Sequence, residues 1–252
     1  MTTPARQATH RRRLILRVST RRDVEMGLPI SLEIAAALRS ELATLFVSDE
    51  ASLAASALPF PTMVGFSGGT LTLDPGRFEA AVRREAESCR QLLSQAAERA
   101  RLAWSFQSLR GETFRLLREA SSLEDILVIG LDRLTASLAD LIPLARELAP
   151  SHGGVLFVRE RATRSRGPLV LVAQPDDAVA ELVEFASTLA DALGSRVARL
   201  TGQLQAGASM LATARLVLAP IESALLDDAA ALRRIAAARP APLLLMRTKP
   251  AE

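Results

Sequence analysis

Few side chains in this chain could carry chemistry, so their spacing limits what it can do. There is a single cysteine, Cys89, and the two histidines, His10 and His152, lie far apart. One thiol excludes an internal disulfide framework, and with the histidines so separated no zinc-ligand set is expected. Cys89 falls on the apolar stripe of a helix and reads as a packed core thiol rather than a nucleophile. The acidic pair Asp49-Glu50 serves as readily as a helix cap as it would a catalytic pair. What remains is the exit of the run Asp125 to Ile129, which is closed by Gly130. Ligands of doubly wound sheets bind where such a strand hands over to its helix. The residues after Gly130 are Leu-Asp-Arg-Leu-Thr-Ala-Ser-Leu, not a glycine-rich loop.

The elements that would position this exit follow from periodicity. Asp125 to Ile129 has the pattern of a central parallel strand buried on both faces. Leu134, Leu138, Leu141, Ile142 and Ala145 then recur at helical spacing within Leu131 to Pro150. Upstream, a strand is predicted over Arg12 to Thr20 and a loop over Arg21 to Gly27. An amphipathic helix over Leu28 to Leu42 and a second strand over Ala43 to Val47 follow. That βαβ order implies parallel strands and a right-handed crossover. An insert at about 50–75 contains Phe60, Met63 and Phe66, and is expected to pack them on the body. A flap or a partner-docking segment is the alternative. Asp74-Pro75 opens a helix to about Ala100. A third strand over Leu102 to Leu109, a short helix over Thr113 to Ala120, a turn at Ser151 to Gly154 and a fifth strand over Val155 to Val158 complete this half.

After a basic linker, Arg159 to Gly167, the same grammar restarts. Strands are predicted at Leu169 to Ala173, Arg196 to Leu200, Arg215 to Ala219 and Leu243 to Met246. Helices are predicted at Asp177 to Leu193 and Ile221 to Ala238, with a weakly amphipathic stretch at Gln203 to Ala214. The chain reads as a degenerate duplication, one unit over 10–160 and a shorter one over 167–248. The second has lost most of the material between its second and fourth strands.

Composition narrows the class. Hydrophobic residues make up 49% and aromatics only 4%, which favours helix-rich layers over an all-β fold. Lys249 is the only lysine, so the positive charge is carried by arginine. The pI is about 10.2, yet the net charge is +3 and acids alternate with bases along the helices. That is a solvated surface rather than a nucleic-acid face, and there is no tyrosine and no aromatic–basic interleaving. No apolar run approaches the ~18 residues of a membrane span. Arg17, Arg21 and Arg22 interrupt the N-terminal apolar stretch before it could act as a signal peptide. A cytoplasmic location is expected.

The two halves close on similar strands, Gly154-Val-Leu-Phe-Val-Arg159 and Pro242-Leu-Leu-Leu-Met-Arg247. With Leu45-Phe-Val-Ser-Asp-Glu50 after the second strand and Asp125-Ile-Leu-Val-Ile-Gly130, the arrangement resembles a tandem universal stress protein. The resemblance implies an α/β fold of two Rossmann-like, adenine nucleotide α-hydrolase-like parallel-sheet units, the second truncated. It also implies a cytoplasmic protein that dimerises through its last strand, in a family divided into ATP-binding and non-binding members. Binding members carry an acid at the end of the first strand and Gly-x2-Gly-x9-Gly-(Ser/Thr) after the fourth. Carried over, Gly130 matches the first glycine, Arg133 takes the place of the second, and Pro143-Leu144 that of the final pair. Proline has no N–H to offer a phosphate and leucine no hydroxyl. The acid position falls on Ser19, and in the second half on Gln174, with Pro220 and Ser223 at the glycine positions.

Three functions are then open. The leading one is a non-catalytic regulatory or interaction protein, not an enzyme, without cofactor, acting as a homodimer or through a protein partner. The second is an ATP or AMP sensor in which Ser19, Val47 and Gly130 frame the adenosine and Arg133 offers a guanidinium in place of glycine amides. An α-hydrolase-type enzyme is the third and has the least behind it, since no histidine stands near a strand end with supporting acids.

Overall fold

The computed structural model describes residues 12–49, 62–64, 70–72, 75–131, 138–159, 166–175, 177, 179–201, 207–228, 230–232, 235 and 241–248. The first half runs β1 (Arg13–Val18), α1 (Arg21–Leu38), β2 (Glu41–Asp49), a hairpin of β3 (Thr62–Val64) and β4 (Thr70–Thr72), α2 (Pro75–Ala100), β5 (Trp104–Gly111), α3 (Thr113–Ala120), β6 (Ile126–Leu131), α4 (Leu138–Leu148) and β7 (Gly154–Arg159). The second runs β8 (Leu169–Ala173), α5 (Ala180–Ala192), β9 (Val197–Thr201), α6 (Ala208–Thr213), β10 (Leu216–Pro220) and β11 (Leu243–Met246).

One nine-stranded sheet spans both halves, in the order β5-β2-β1-β6-β7-β11-β10-β8-β9. Every pairing in it is parallel except β7 with β11, which is antiparallel. The halves therefore meet last strand to last strand. Their strand orders run outward from that seam in the same sense, with fourth strands β6 and β10 next to it and first strands β1 and β8 beyond. Among the described residues the second half has no counterpart of β5.

The inner strands are apolar along most of their length because both faces are covered. Leu14, Leu16, Val18, Ile126 and Val128 pack under α1, α2 and α5. Ile15, Leu127, Ile129, Leu131 and Val155 pack under α3, α4 and α6. Each such side chain, fully buried, contributes roughly 1.5–3 kcal/mol. Two ion pairs tie the halves across the seam, Arg215 to Glu33 of α1 at 3.0 Å and Arg146 of α4 to Asp227 at 2.6 Å.

The structure corrects several expected boundaries. Arg21 to Gly27 is helix, not loop: Thr20 accepts from the Asp23 N–H and the Asp23 carboxylate accepts from the Thr20 N–H, a reciprocal cap. The same helix stops at Leu38, not Leu42. Arg39 turns left-handed (φ 52°, ψ 40°) and its N–H returns to the Ala35 and Ala36 carbonyls. Leu42 is instead a buried residue of β2. Ile221 to Ala238 does not begin as a helix. The Ile221 N–H bonds to the Met246 carbonyl at 2.8 Å, and Ser223 caps a 3-10 turn over Ala224–Asp227. Helix is described only at 230–232 and 235. Of the insert, only the β3–β4 pair is described; Phe60 and Phe66 lie outside the described residues.

Candidate functional site

The carboxyl ends of β2, β1 and β6 are neighbours, and the expected site residues converge on them. Val18 pairs with Phe46 and Arg17 with Ile129, so Ser19, Val47 and Gly130 stand at adjacent strand ends. Arg133 and the rest of 132–137 lie outside the described residues. Pro143 is inside α4, and Leu144 packs against the core on the α3–α4 face.

Ser19 is spoken for. Its N–H donates to the Asp23 carboxylate at 2.7 Å and its hydroxyl to the same oxygen at 2.9 Å. The Thr20 N–H donates to that oxygen as well, at 3.0 Å. The acid expected at the strand end is thus displaced into the first turn of α1, where it closes the strand end and complements the helix N-terminus. Gly130 is explained by the same turn. A Cβ there would meet Met26 Cε at 3.2 Å and the Asp23 carbonyl oxygen at 3.6 Å. Its lack of a side chain lets α1 close onto β6. Gly27 serves the same crossing from the helix side, since a Cβ would lie 2.5 Å from Leu16 Cδ1.

The second half repeats the arrangement. The Gln174 N–H donates to the Asp177 carboxylate at 2.7 Å, and the Ser223 hydroxyl donates to the same oxygen at 2.7 Å. Pro220, at the first glycine position, is the buried last residue of β10.

Sequence reasoning passed over Asp23, Asp177 and Arg17. The signal for Asp23 was the Thr-x-x-Asp spacing of a reciprocal helix cap. Arg17 sits in β1 between Leu45 and Ile129, on the side of Ile15, facing the α3–α4 layer. Its Nε is buried and has no hydrogen-bond partner. A charged residue at a core register of an otherwise apolar strand was the available signal.

The opposite end of the sheet is held by a different cluster. Asp125 is 1% exposed and accepts from the Arg13 N–H, Nε and guanidinium and from the Ser122 N–H at 2.6–3.2 Å. Burial pushes its carboxyl up, but these bonds outweigh burial and hold it below the ordinary carboxylate range. His152 donates from Nδ1 to the Leu148 carbonyl at 3.0 Å, and burial pushes its pKa down, favouring the neutral ring. Cys89 is buried, and its thiol is pushed up to about 12, chiefly by that burial and then by Glu85 and Asp23. A thiol so protonated is a packing group. Among the described residues no three His, Cys, Asp or Glu side chains gather as a metal site, and no helix is long and apolar enough to cross a membrane.

No family model matches the sequence, and no curated protein matches it either. Solved structures do. A universal stress protein from Archaeoglobus fulgidus DSM 4304 is similar over 95% of this chain and 97% of its own, with TM-score 0.61 and 13% identity. A functionally unknown protein from Pseudomonas aeruginosa PAO1 is similar over 94% of this chain and 92% of its own, with TM-score 0.54 and 11% identity. At these identities the likeness is one of fold.

Proposed function

We propose that this chain, whose fold is that of a universal stress protein, is a non-catalytic regulatory or interaction protein. It is a fused pair of universal-stress-protein-like units, 10–160 and 167–248, that works by engaging a partner rather than by turning over nucleotide. The observation that supports this most is that the first strand of each half ends on an aspartate of its own chain. Asp23 is committed to Ser19 and Thr20, and Asp177 to Gln174 and Ser223. One oxygen of each carboxylate is taken up by donors of its own chain and is less free to hold a ligand. At the phosphate-loop positions Pro143 has no N–H and Leu144 no hydroxyl to offer a phosphate.

The seam bears on how such a protein associates. β7 and β11 pair with each other inside the chain, so the last-strand edge that the resemblance gives as a dimer edge is already occupied. Association with a second copy or another protein then uses another surface. The end strands of the sheet are β5 and β9.

Arg17 favours the second reading, a nucleotide or anion sensor. A guanidinium nitrogen buried without a partner is costly, and an anion over the carboxyl ends of β1 and β6 would satisfy it. Purified full-length protein separates the two. The supernatant of the denatured chain is read by absorbance ratio and mass spectrometry. The proposal expects no stoichiometric nucleotide; an adenine nucleotide near one per chain overturns it in favour of the sensor.

A further inference from the structure

On one side the sheet ends in β5, and half of that strand's backbone is unpaired. The Leu42 N–H donates to the Ala103 carbonyl at 3.0 Å. From there the parallel register runs unbroken, from Leu42 with Trp104 to Asp49 with Gly111. In such a ladder alternate residues turn their N–H and C=O to the neighbouring strand. Ala103, Ser105, Gln107 and Leu109 therefore face β2, and the Leu109 carbonyl also accepts from the Ser48 hydroxyl there. Trp104, Phe106, Ser108 and Arg110 turn their backbone groups outward. Among the described residues none of these outward groups has a backbone partner.

Edge strands commonly carry a device that discourages pairing, such as a proline, a lysine, a bulge or extreme shortness. β5 has eight residues, Trp-Ser-Phe-Gln-Ser-Leu-Arg-Gly, and none of these devices. β9, at the other end of the sheet, has five residues and an exposed arginine, Arg199, at its centre. Under α2 a hollow of about 260 Å³ runs beside β5, with Val82, Ala86 and Phe106 as its apolar lining and Arg83 and Glu87 among its charged groups. It carries both signs of charge and so does not repel its own copy.

The outward groups also select a pairing. Antiparallel strands exchange hydrogen bonds only where outward-facing residues stand opposite one another. A two-fold axis at Gln107 achieves this for all four: Trp104 stands opposite Arg110 of a second copy, and Phe106 opposite Ser108. No like charges meet, and each tryptophan faces a guanidinium. Gln107, whose backbone turns inward, stands opposite itself as a non-hydrogen-bonded pair.

From this complementarity we propose that two copies of the chain associate through β5, antiparallel about a two-fold axis at Gln107, so that their sheets become continuous. The inference rests on the reading of the chain as an interaction protein and names its partner as a second copy. The last-strand edge is closed within each chain and stays as it is.

The test uses the full chain, with light scattering after size exclusion and with cysteine cross-linking. At micromolar concentration the wild type has twice the 27.0 kDa mass of one chain. Gln107→Lys, at an exposed position, sets two like charges face to face on the axis and weakens association roughly tenfold or more. Ser108→Pro removes a central outward N–H, leaves the bonds to β2 in place, and gives a monomer with unchanged circular dichroism. Non-hydrogen-bonded partners have Cα atoms about 4.5 Å apart, within disulfide reach. Gln107→Cys therefore gives a covalent dimer under mild oxidation, whereas Arg199→Cys on β9 does not; the native Cys89 is buried and does not contribute. The proposal is overturned if the wild type is a monomer, if Gln107→Lys or folded Ser108→Pro leaves the dimer intact, or if Arg199→Cys cross-links as fast as Gln107→Cys. These outcomes are separate from the nucleotide assay, because bound nucleotide bears on the strand-end crevice and not on the mass of the assembly.

Discussion

Asp23→Ala is the sharpest single perturbation of the strand-end arrangement. One carboxylate oxygen accepts three donors, the Ser19 N–H, the Ser19 hydroxyl and the Thr20 N–H. Removing it takes away half of the reciprocal cap of α1, for which losses of about 1 kcal/mol are typical. The Thr20 N–H is exposed and water replaces its bond at little cost. The Ser19 N–H and hydroxyl are half-buried, and leaving them unpaired costs about 1 kcal/mol more. The sum is about 2 kcal/mol, or a fall in Tm of about 4–8 °C for a chain of this size. Ser19→Ala alone loses only the hydroxyl bond and costs about 0.5–1 kcal/mol. The double variant should cost less than the two single losses added, because both remove the same contact. Urea unfolding followed by circular dichroism measures all three. A loss below 0.5 kcal/mol for Asp23→Ala, or strict additivity in the double variant, would refute the claim that this carboxylate closes the strand end.

Two further predictions concern titratable groups away from that end. Asp125→Asn should cost about 2–3 kcal/mol at pH 7, less than the roughly 3–5 kcal/mol of a fully buried broken pair because the Arg13 side chain is 34% exposed. The folded pKa of Asp125 lies below its unfolded value of about 3.9, so this contribution is fully present above about pH 5. It is lost as the pH falls below the unfolded value and through the lower folded one, so the gap between wild type and variant in urea unfolding should narrow steadily with acidification; a gap that does not narrow contradicts the assignment. Cys89, buried and pushed up to about 12, should not react with an aromatic disulfide reagent at pH 8 in the folded chain and should react fully in urea. Fast native-state labelling would show that the α1–α2 packing is open.

Much of the fold was legible because its strands are short apolar runs between turn signals. Thr113 to Ala120 and Leu243 to Met246 were delimited to the residue. Boundaries failed where a cap competed with periodicity. Arg21-Arg22 suggested a loop, but Thr20 and Asp23 start a helix there. Leu42 continued the helical spacing, but the left-handed turn at Arg39 had already ended it. The β7–β11 pairing left no local trace, since an antiparallel contact between residues so distant in sequence is decided only by which edges remain to be paired. Ser19 and Gly130 do stand at adjacent strand ends, where the strand pattern put them. The sequence does not say that Asp23 folds back on the one and that Met26 packs on the other. Arg17 was visible only as an interruption of an apolar run, and its unpaired burial emerges only when β2 and β6 flank it.

The central claim is that the strand-end crevice of the first half does not serve ATP. Calorimetric titration of the full chain with ATP, ADP and AMP, with and without Mg²⁺, tests it directly. A triphosphate loop presents several backbone N–H donors, each charge-assisted bond contributing roughly 1.5–3 kcal/mol. Here Pro143 lacks a donor, Leu144 a hydroxyl, and Asp23 is engaged by Ser19. The account predicts a Kd no tighter than about 100 μM, or about −5.5 kcal/mol. Low-micromolar binding of any of the three nucleotides contradicts it.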